Sequence, residues 1–328
     1  MGPGCRQPSK RLPACQEAIM GKIYHGIEEL IGHTPLLALD RYVKKHDLKA
    51  DILVKIESFN PAGSVKDRAA LNMILAKEAA GDLKPGGTII EGTSGNTGIA
   101  IAAVGAARGY SVKICLPDDV SVERRKLISS YGGEVVLTPG EKKMGGANEA
   151  VQQLLAVTPG AVVLGQGGNP KNPEAHYLTT GPEIWDDTDG HVDIFVAAAG
   201  TGGTISGVGK FLKEKNPDIK VVAVEPTGNA VLTGGEPGPH KIQGIGGGPT
   251  PPVTDVSLFD EVIDVTDDEA YEAAKELPKV EGLSIGISAG AAVHAATVIA
   301  SREENAGKTI VVIIPDSGDH YLSGDLYD

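Results

Sequence analysis

Short apolar segments alternate with alanine-rich segments of helical spacing along most of the chain. The apolar segments, such as residues 310–315, are continuously hydrophobic and do not alternate with polar positions. Strands of a parallel sheet need this continuity, because helices cover both of their faces. The pattern therefore predicts an α/β fold with mostly parallel sheets.

This alternation predicts ten strands and eight helices, and ten strands fit more readily into two sheets than into one. The predicted strands are residues 51–56, 88–91, 111–116, 134–137, 161–164, 192–198, 220–224, 261–265, 283–287 and 309–314. The predicted helices are residues 66–80, 97–108, 122–131, 146–156, 173–185, 204–215, 267–277 and 289–302. The proline- and glycine-rich segment 234–252 is predicted to be a long surface loop.

The composition narrows the class of protein. A length of 328 residues agrees with about two domains. With 41% hydrophobic and 22% charged residues, the chain is too apolar to be mostly disordered. The net charge of −13 argues against nucleic acid or an anionic membrane surface as a partner. The longest apolar runs are strand-sized, so no membrane-spanning helix is predicted.

Three cysteines, Cys5, Cys15 and Cys115, cannot form a disulfide framework, and they indicate a reducing compartment. We therefore expect a cytoplasmic protein, and no metal site is predicted. Residues 1–22 lack the continuous apolar core of a secretion signal and are expected to be a disordered leader. An internal start at Met20 and a cleaved organelle presequence are alternatives for this segment.

The first candidate functional residue is Lys66, which follows a predicted strand and a turn and begins a predicted helix. The positive end of the helix dipole disfavours an ammonium at this position. The amine should therefore lose its proton more readily and attack a carbonyl to form an imine. A solvated lysine in a first helical turn is the alternative, which this motif alone does not exclude.

A second strand-to-helix turn, residues 91–98, has the sequence Glu-Gly-Thr-Ser-Gly-Asn-Thr-Gly. Its backbone amides and the hydroxyls of Thr93, Ser94 and Thr97 form a candidate carboxylate site, and Asn96 can donate to a phenolate-like oxygen. Alternatively, Ser94 or Thr97 only caps the helix. Capping would explain one hydroxyl but not the cluster.

A third turn, residues 200–204, has the sequence Gly-Thr-Gly-Gly-Thr and can bind phosphate through backbone amides and two hydroxyls. A dinucleotide-binding loop is the rival interpretation. That loop needs glycine where this chain has Ile205, but it also needs an acid such as Glu225 at the end of the next strand. This turn by itself leaves both interpretations open.

A fourth turn places Ser288 at the start of a predicted helix, where a simple N-cap is the plainer interpretation. Together, however, the four segments would give one chain a phosphate site, a carboxylate site and an imine-forming lysine. Pyridoxal phosphate acting on an amino acid needs all three. The combination therefore indicates this cofactor.

The motifs, in order and spacing, resemble those of the cysteine synthase (O-acetylserine sulfhydrylase) family, which are fold type II pyridoxal phosphate enzymes. The resemblance extends from about Ile23 to Leu326 and includes Val-Glu-Pro at 224–226 and Pro-His-Lys-Ile-Gln-Gly-Ile-Gly at 239–246. It implies β-replacement of O-acetyl-L-serine with sulfide to give L-cysteine and acetate. It also implies a tryptophan synthase β-like homodimer with two three-layer α/β domains, residues 60–168 and residues 23–59 with 169–328.

The resemblance also implies a role for each matched residue. Lys66 would hold the cofactor and carry the substrate α-proton, and the neutral hydroxyl of Ser288 at the pyridine nitrogen would restrain side reactions. The cofactor-binding residues would be Lys66, Asn96, Gly200, Thr201, Gly202, Gly203, Thr204 and Ser288. The substrate-binding residues would be Thr93, Ser94, Asn96, Thr97 and Gln166.

Two positions depart from the family pattern. Gly167 follows Gln166 where many members have phenylalanine, which leaves the preferred leaving group open. Ala289 follows Ser288 where many members have a second serine, and we expect little effect from this change.

Three other functions are alternatives. A cystathionine β-synthase-like or hydrogen-sulfide-releasing β-replacement uses the same chemistry, but we expect no regulatory domain pair after Asp328. An NAD-dependent oxidoreductase is the alternative from another class. The third is a catalytically weak binding partner of serine acetyltransferase, which is also a candidate partner of the enzyme itself.

Overall fold

A computed structural model describes residues 23–328, so the predicted leader lies outside the described residues. The strands are β1 (Leu36–Ala38), β2 (Asp51–Ile56), β3 (Thr88–Gly92), β4 (Ser111–Pro117), β5 (Glu134–Thr138), β6 (Ile194–Ala198), β7 (Lys220–Pro226), β8 (Glu261–Val265) and β9 (Thr309–Ile314). The helices are α1 (Asp40–Lys45), α2 (Lys66–Ala79), α3 (Asn96–Ala107), α4 (Val122–Ser130), α5 (Lys143–Val157), α6 (Lys171–Leu178), α7 (Thr180–Asp187), α8 (Gly203–Lys215), α9 (Asp267–Glu281) and α10 (Ile287–Ala300).

The strands form two sheets, as predicted. The larger has the order β1-β2-β9-β6-β7-β8, and within it β1 pairs antiparallel while the other strands run parallel. The smaller sheet, β3-β4-β5, is parallel throughout. The sheets divide the strands as the implied domains would require, and the domain boundaries themselves stay a prediction.

Helices cover both faces of each sheet, which explains the continuous hydrophobicity of the strands. Along β9, Ile310 and Val312 belong to the core shared with α9 and α10. The intervening Val311 belongs to the core shared with α7 and α8. In the smaller sheet, Ile114 faces α2 and α3 while Cys115 faces α5. No helix within residues 23–328 is both long and apolar enough to cross a membrane.

Two predicted strands are wrong. In segment 161–164 only Val162 pairs, through a bridge to Ile89, because the chain turns away at Gly165, which has a φ of 65°. Segment 283–287 joins no sheet, because α10 already begins at Ile287 and the residues between α9 and α10 form a connection without strand pairing.

Other differences concern short elements and breaks. The single helix predicted at 173–185 is two helices, α6 and α7, because Thr179 leaves the helical conformation with φ of −127° and ψ of −67°. The short β1 and α1 were not predicted. Segment 234–252 contains no strand or helix, but it is not simply a surface loop, because Ile242 and Ile245 are buried.

Replacing Gly290 with alanine should destabilise the protein. Helices α9 and α10 pack so closely that a Cβ atom at Gly290 would overlap the carbonyl oxygen of Ala270. We expect a loss of about 2 kcal/mol in the free energy of unfolding, because the two helices must separate. Urea unfolding measures this change.

Gly145→Ala is the matched control for this substitution. Gly145 is exposed in α5, and beyond its neighbours in the same helix no atom of residues 23–328 lies within 4 Å of the position that its Cβ would take. Alanine there should stabilise the helix by up to about 1 kcal/mol. A Gly290→Ala variant as stable as the original protein would contradict the close packing of α9 and α10.

Candidate active site

A cavity of about 1220 Å³ lies beside the carboxyl ends of strands from both sheets. Its lining comes from the segments that follow β3 and β4 in the smaller sheet and from those that follow β6, β7 and β9 in the larger. Every predicted site residue lines this cavity: Lys66, Thr93, Ser94, Asn96, Thr97, Gln166, Gly200, Thr201, Gly202, Gly203, Thr204 and Ser288. The structure therefore brings all of the predicted positions together.

Lys66 is the first residue of α2, as predicted, and its side chain is half-buried at the cavity. Burial lowers the pKa of its amine, while the charges of Asp316 and Glu57 act in the opposite direction. The dipole of α2 also disfavours the ammonium. Lys66 is therefore suited to act as a nucleophile and as a base.

Buried charges fix the start of α2. Arg68 donates from Nε to Oε2 of Glu57 at 2.7 Å and from Nη1 to Oε1 of Glu183, in α7, at 2.6 Å. Burial alone would lower the pKa of Arg68, but the two carboxylates outweigh it and the pKa is raised. The fully buried Lys55 of β2 reaches the same Glu183 at 3.0 Å. The helix that carries Lys66 is thus tied to strands and helices of the larger sheet.

The second turn leads directly into α3. The N-cap is Gly95 and no side chain caps the helix, so the alternative that Ser94 or Thr97 is the cap is wrong. Instead, the buried Thr97 donates from Oγ1 to Oε1 of Gln166 at 2.6 Å. This contact places Gln166 directly against the turn, and both face the cavity.

The third turn brings its backbone unusually close to its neighbours at the start of α8. A Cβ atom at Gly200 would lie 2.5 Å from the carbonyl oxygen of Gly244, and one at Gly203 would overlap the side chain of Asn172. Asn172 donates from Nδ2 to Oγ1 of Thr201 at 2.9 Å and so supports the turn. Such a turn at a helix N-terminus presents backbone amides to an anion.

Glu225 is not available for a ribose. Its Oε2 accepts from the backbone N–H of Leu232 at 2.8 Å, and its Oε1 accepts from the N–H and the hydroxyl of Thr233 at 2.8 and 2.9 Å. The carboxylate therefore holds the chain after β7 in place. The acid that favoured the dinucleotide interpretation has a structural role here.

Ser288 is the second residue of α10 and not its N-cap, which is Gly286. The side chain is buried at the cavity wall. Within residues 23–328, no side chain forms a hydrogen bond with its hydroxyl. The hydroxyl is therefore free to contact a group bound in the cavity.

Sequence reasoning missed a polar group that follows β9. Asp316 is buried, and its Oδ2 accepts from Nδ2 of Asn96 and from the hydroxyl of Tyr321, both at 2.7 Å. Its Oδ1 lies where a Cβ atom at Gly286 would be. The signal was present in the sequence, because Asp316 lies two residues after the carboxyl end of an apolar strand, as the other motifs lie just after theirs.

A family model described as pyridoxal-phosphate dependent enzyme matches residues 27–316. The chain belongs to this family. The predicted cofactor, pyridoxal phosphate, and the predicted fold class are confirmed, and the chain is a pyridoxal-phosphate dependent enzyme.

Relatives of this pyridoxal-phosphate dependent enzyme include a cysteine synthase of Staphylococcus aureus (strain Mu50 / ATCC 700699). It is 48% identical over 302 residues, which are 92% of this chain and 96% of the relative. A crystal structure of cysteine synthase (OASS) from Entamoeba histolytica matches with a TM-score of 0.90 and 46% identity, over 98% of this chain and 94% of the other. A hydrogen sulfide-producing enzyme from Fusobacterium nucleatum matches with a TM-score of 0.87 and 42% identity, over 92% and 100%.

The residues at the cavity fit pyridoxal phosphate. The group needs an amine, a phosphate site and polar contacts for its ring. Lys66 supplies an amine with a lowered pKa, and the turn before α8 is packed too tightly at Gly200 to carry a side chain. The unpaired hydroxyl of Ser288 supplies a polar contact for a ring nitrogen.

The carboxyl of Asp67, next to Lys66, should make stability depend on pH. Burial raises the pKa of Asp67 from 3.8 to about 7, so the folded protein retains a proton that the unfolded chain releases between these values. The contribution of Asp67 to the free energy of unfolding is therefore greatest below pH 3.8 and is lost as the pH rises through about 7. In the original protein, this effect should lower the free energy of unfolding by on the order of 3 kcal/mol between about pH 4 and about pH 8. The Asp67→Asn variant should not show this decrease.

Urea unfolding across this pH range measures the effect. Asp218→Asn, at an exposed position, is the control and should keep the pH dependence of the original protein. An Asp67→Asn variant with an unchanged pH dependence would show that Asp67 is not protonated in the folded protein.

Proposed function

We propose that the chain is a cysteine synthase that converts O-acetyl-L-serine and sulfide into L-cysteine and acetate. One observation supports this proposal most strongly. Lys66, the turn that ends at Thr97 and the turn that begins at Gly200 all line the same cavity. These supply an amine, a carboxylate site and a phosphate site. Glu225 accepts hydrogen bonds from the chain that follows β7 and is not available to bind a ribose, which argues against an NAD-dependent oxidoreductase.

Each residue has a distinct task in this proposal. Bound pyridoxal phosphate supplies an electron sink for loss of the substrate α-proton and of the leaving group. Lys66 would hold the cofactor through its amine and then move the α-proton, which its lowered pKa favours. The backbone amides of residues 200–204 would bind the phosphate, Asn96 the ring oxygen, and Ser288 the pyridine nitrogen.

The substrate carboxylate would bind at the start of α3. Thr93, Ser94 and Thr97 offer hydroxyls there, and the backbone amides of the helix N-terminus are directed to an anion. Gln166 would complete this site, because Thr97 already donates to its Oε1 at 2.6 Å. These residues would orient the substrate Cα–H bond towards Lys66.

The acids of the cavity support acetate as the leaving group. The hydroxyl of serine must be protonated as it leaves, whereas acetate needs no strong acid. The buried acids on the cavity wall are each engaged by N–H or O–H donors of the protein itself: Glu91, Glu225 and Asp316. O-acetylserine should therefore be preferred over serine.

The space at Gly167 favours a second candidate, a hydrogen-sulfide-releasing or cystathionine β-synthase-like β-replacement. Apart from Gly167 itself and its two chain neighbours, the only atom of residues 23–328 within 4 Å of a Cβ placed at Gly167 is Cβ of Pro251, at 3.9 Å. A larger leaving group or a second amino acid bearing a thiol would fit there. The Fusobacterium nucleatum relative, which is named as hydrogen sulfide-producing, agrees with this candidate.

Two further parts of the proposal concern the assembly and its location. By its resemblance to the family we propose a homodimer in the cytoplasm, with serine acetyltransferase as a candidate partner. Analytical ultracentrifugation of the purified protein, alone and with serine acetyltransferase, tests both associations. A monomer at micromolar concentration would contradict the dimer.

Replacing Lys66 with alanine should abolish β-replacement and leave the fold intact. The variant loses both the cofactor anchor and the proton carrier, so we expect at least about a thousandfold loss of kcat. Cysteine formation from O-acetylserine and sulfide measures activity, and circular dichroism checks the fold. Lys77→Ala, near the end of the same helix, is the control, and normal turnover by the Lys66 variant would refute the assignment.

Replacing Gly167 with phenylalanine should narrow the substrate range. We expect kcat/KM for O-phosphoserine, and for homocysteine as the second substrate, to fall at least about tenfold more than that for O-acetylserine with sulfide. The same assay on the original protein compares O-acetylserine, O-phosphoserine, serine and cysteine. A clear preference for serine with homocysteine would favour the second candidate function instead.

A further inference from the structure

The segment after β9 turns back against the start of α3 and contacts both ends of the Asn96 amide. Oδ1 of Asn96 lies 3.0 Å from Nδ1 of His320, and Nδ2 donates to Oδ2 of Asp316 at 2.7 Å. His320 and Asp316 are both buried, whereas Asn96 is half-buried and lines the cavity. The segment after β9 therefore holds the amide at both ends, through Asp316 at the cavity wall and through His320, which does not line the cavity.

These two contacts determine which way round the amide lies. A carboxylate oxygen only accepts, so the group facing Asp316 must be the NH₂ of Asn96. The oxygen of the amide then faces His320, whose Nδ1 must carry a hydrogen and donate it. A reversed amide would place oxygen against oxygen at Asp316 and lose that hydrogen bond, whichever nitrogen of His320 carries the hydrogen.

We propose that His320 is a positioning residue that, with Asp316 opposite it, fixes the Asn96 amide so that its second N–H is directed into the cavity. Only one of the two hydrogens on Nδ2 is used by Asp316. The other is left to donate to a group bound in the cavity, which in the proposed function is the ring oxygen of the cofactor. Asp316 is itself oriented by the hydroxyl of Tyr321, which donates to the same oxygen at 2.7 Å.

The charges around His320 do not disturb this arrangement. Burial lowers the pKa of His320, and Arg124 acts in the same direction, while Asp316, Asp319 and Glu123 oppose them. The neutral ring donates from Nδ1, and a protonated ring would still donate from Nδ1. The positioning of Asn96 should therefore persist across neutral pH.

A matched pair of substitutions at His320 tests the proposal. Asparagine places an amide nitrogen close to the position of Nδ1, whereas leucine has a similar volume and no donor. We expect His320→Leu to raise the Kd of pyridoxal phosphate for the apoprotein about tenfold and to change the absorption spectrum of the bound cofactor, because one hydrogen bond to the amide is lost. His320→Asn should stay within about twofold of the original Kd and keep its spectrum.

A double-mutant cycle separates positioning from general stability. If His320 acts through Asn96, the His320→Leu substitution should have no further effect on the Kd in an Asn96→Ala background. Urea unfolding of the apoproteins records any loss of stability separately. Unchanged affinity in His320→Leu, equal losses in both His320 variants, or additive effects in the double variant would each overturn the proposal.

The inference rests on the proposed contact between Asn96 and the cofactor and not on the β-replacement reaction. An Asn96→Ala variant that binds the cofactor with unchanged affinity would refute the inference alone. A protein that binds the cofactor but forms no cysteine from O-acetylserine and sulfide would refute the proposed function alone.

Discussion

The common direction of the strands is the constraint on which the site depends. In a parallel sheet all strands end at one edge, and each strand is followed there by a turn that leads back to a helix. In this chain the turns after β3 and β6 become the N-termini of α3 and α8, where backbone N–H groups have no partner within the helix. The geometry thus gathers Lys66, Thr97 and Ser288 around one cavity although they are far apart in the sequence.

The cavity walls are supported by two polar networks of different kinds. On the side of Lys66, Arg68 is buried between Glu57 and Glu183, so the desolvated charges are held by direct hydrogen bonds. Such buried ion pairs contribute little net stability but are sensitive to geometry. On the side of α3, neutral and charged groups surround one amide, that of Asn96. In both networks, the buried polar groups orient side chains of the cavity more than they stabilise the fold.

The sequence predicted the fold class and the residues of the cavity, because both depend on local signals. Continuous apolar runs marked most strands, and glycine-rich turns at the ends of those runs marked the binding positions. The strand predicted at 161–164 failed because hydrophobic runs do not show whether a neighbouring strand is in reach. The break at Thr179 between α6 and α7 did have a local signal, because Pro182 in the first turn of α7 has no N–H to donate to Leu178 in a continuous helix.

The missed site residues show the same limit. Asp316 and His320 act through contacts with Asn96, more than two hundred positions earlier in the chain, and no spacing rule connects them. Their placement follows from the pairing of β2 with β9, which brings the end of the chain beside the turn that carries Lys66. A local sequence pattern does not show which distant strands pair, so it could not predict these contacts.

The close approach of Asp316 to Gly286 restricts how this protein can diverge. Oδ1 of Asp316 occupies the space that any side chain at Gly286 would need, so the two positions are not independent. A side chain at 286 is acceptable only in a chain that has already shortened or lost the residue at 316, and that loss also removes the acceptor for Asn96. Because Cε2 of Tyr321 also lies 2.8 Å from the same position, a side chain at 286 requires prior changes at both 316 and 321.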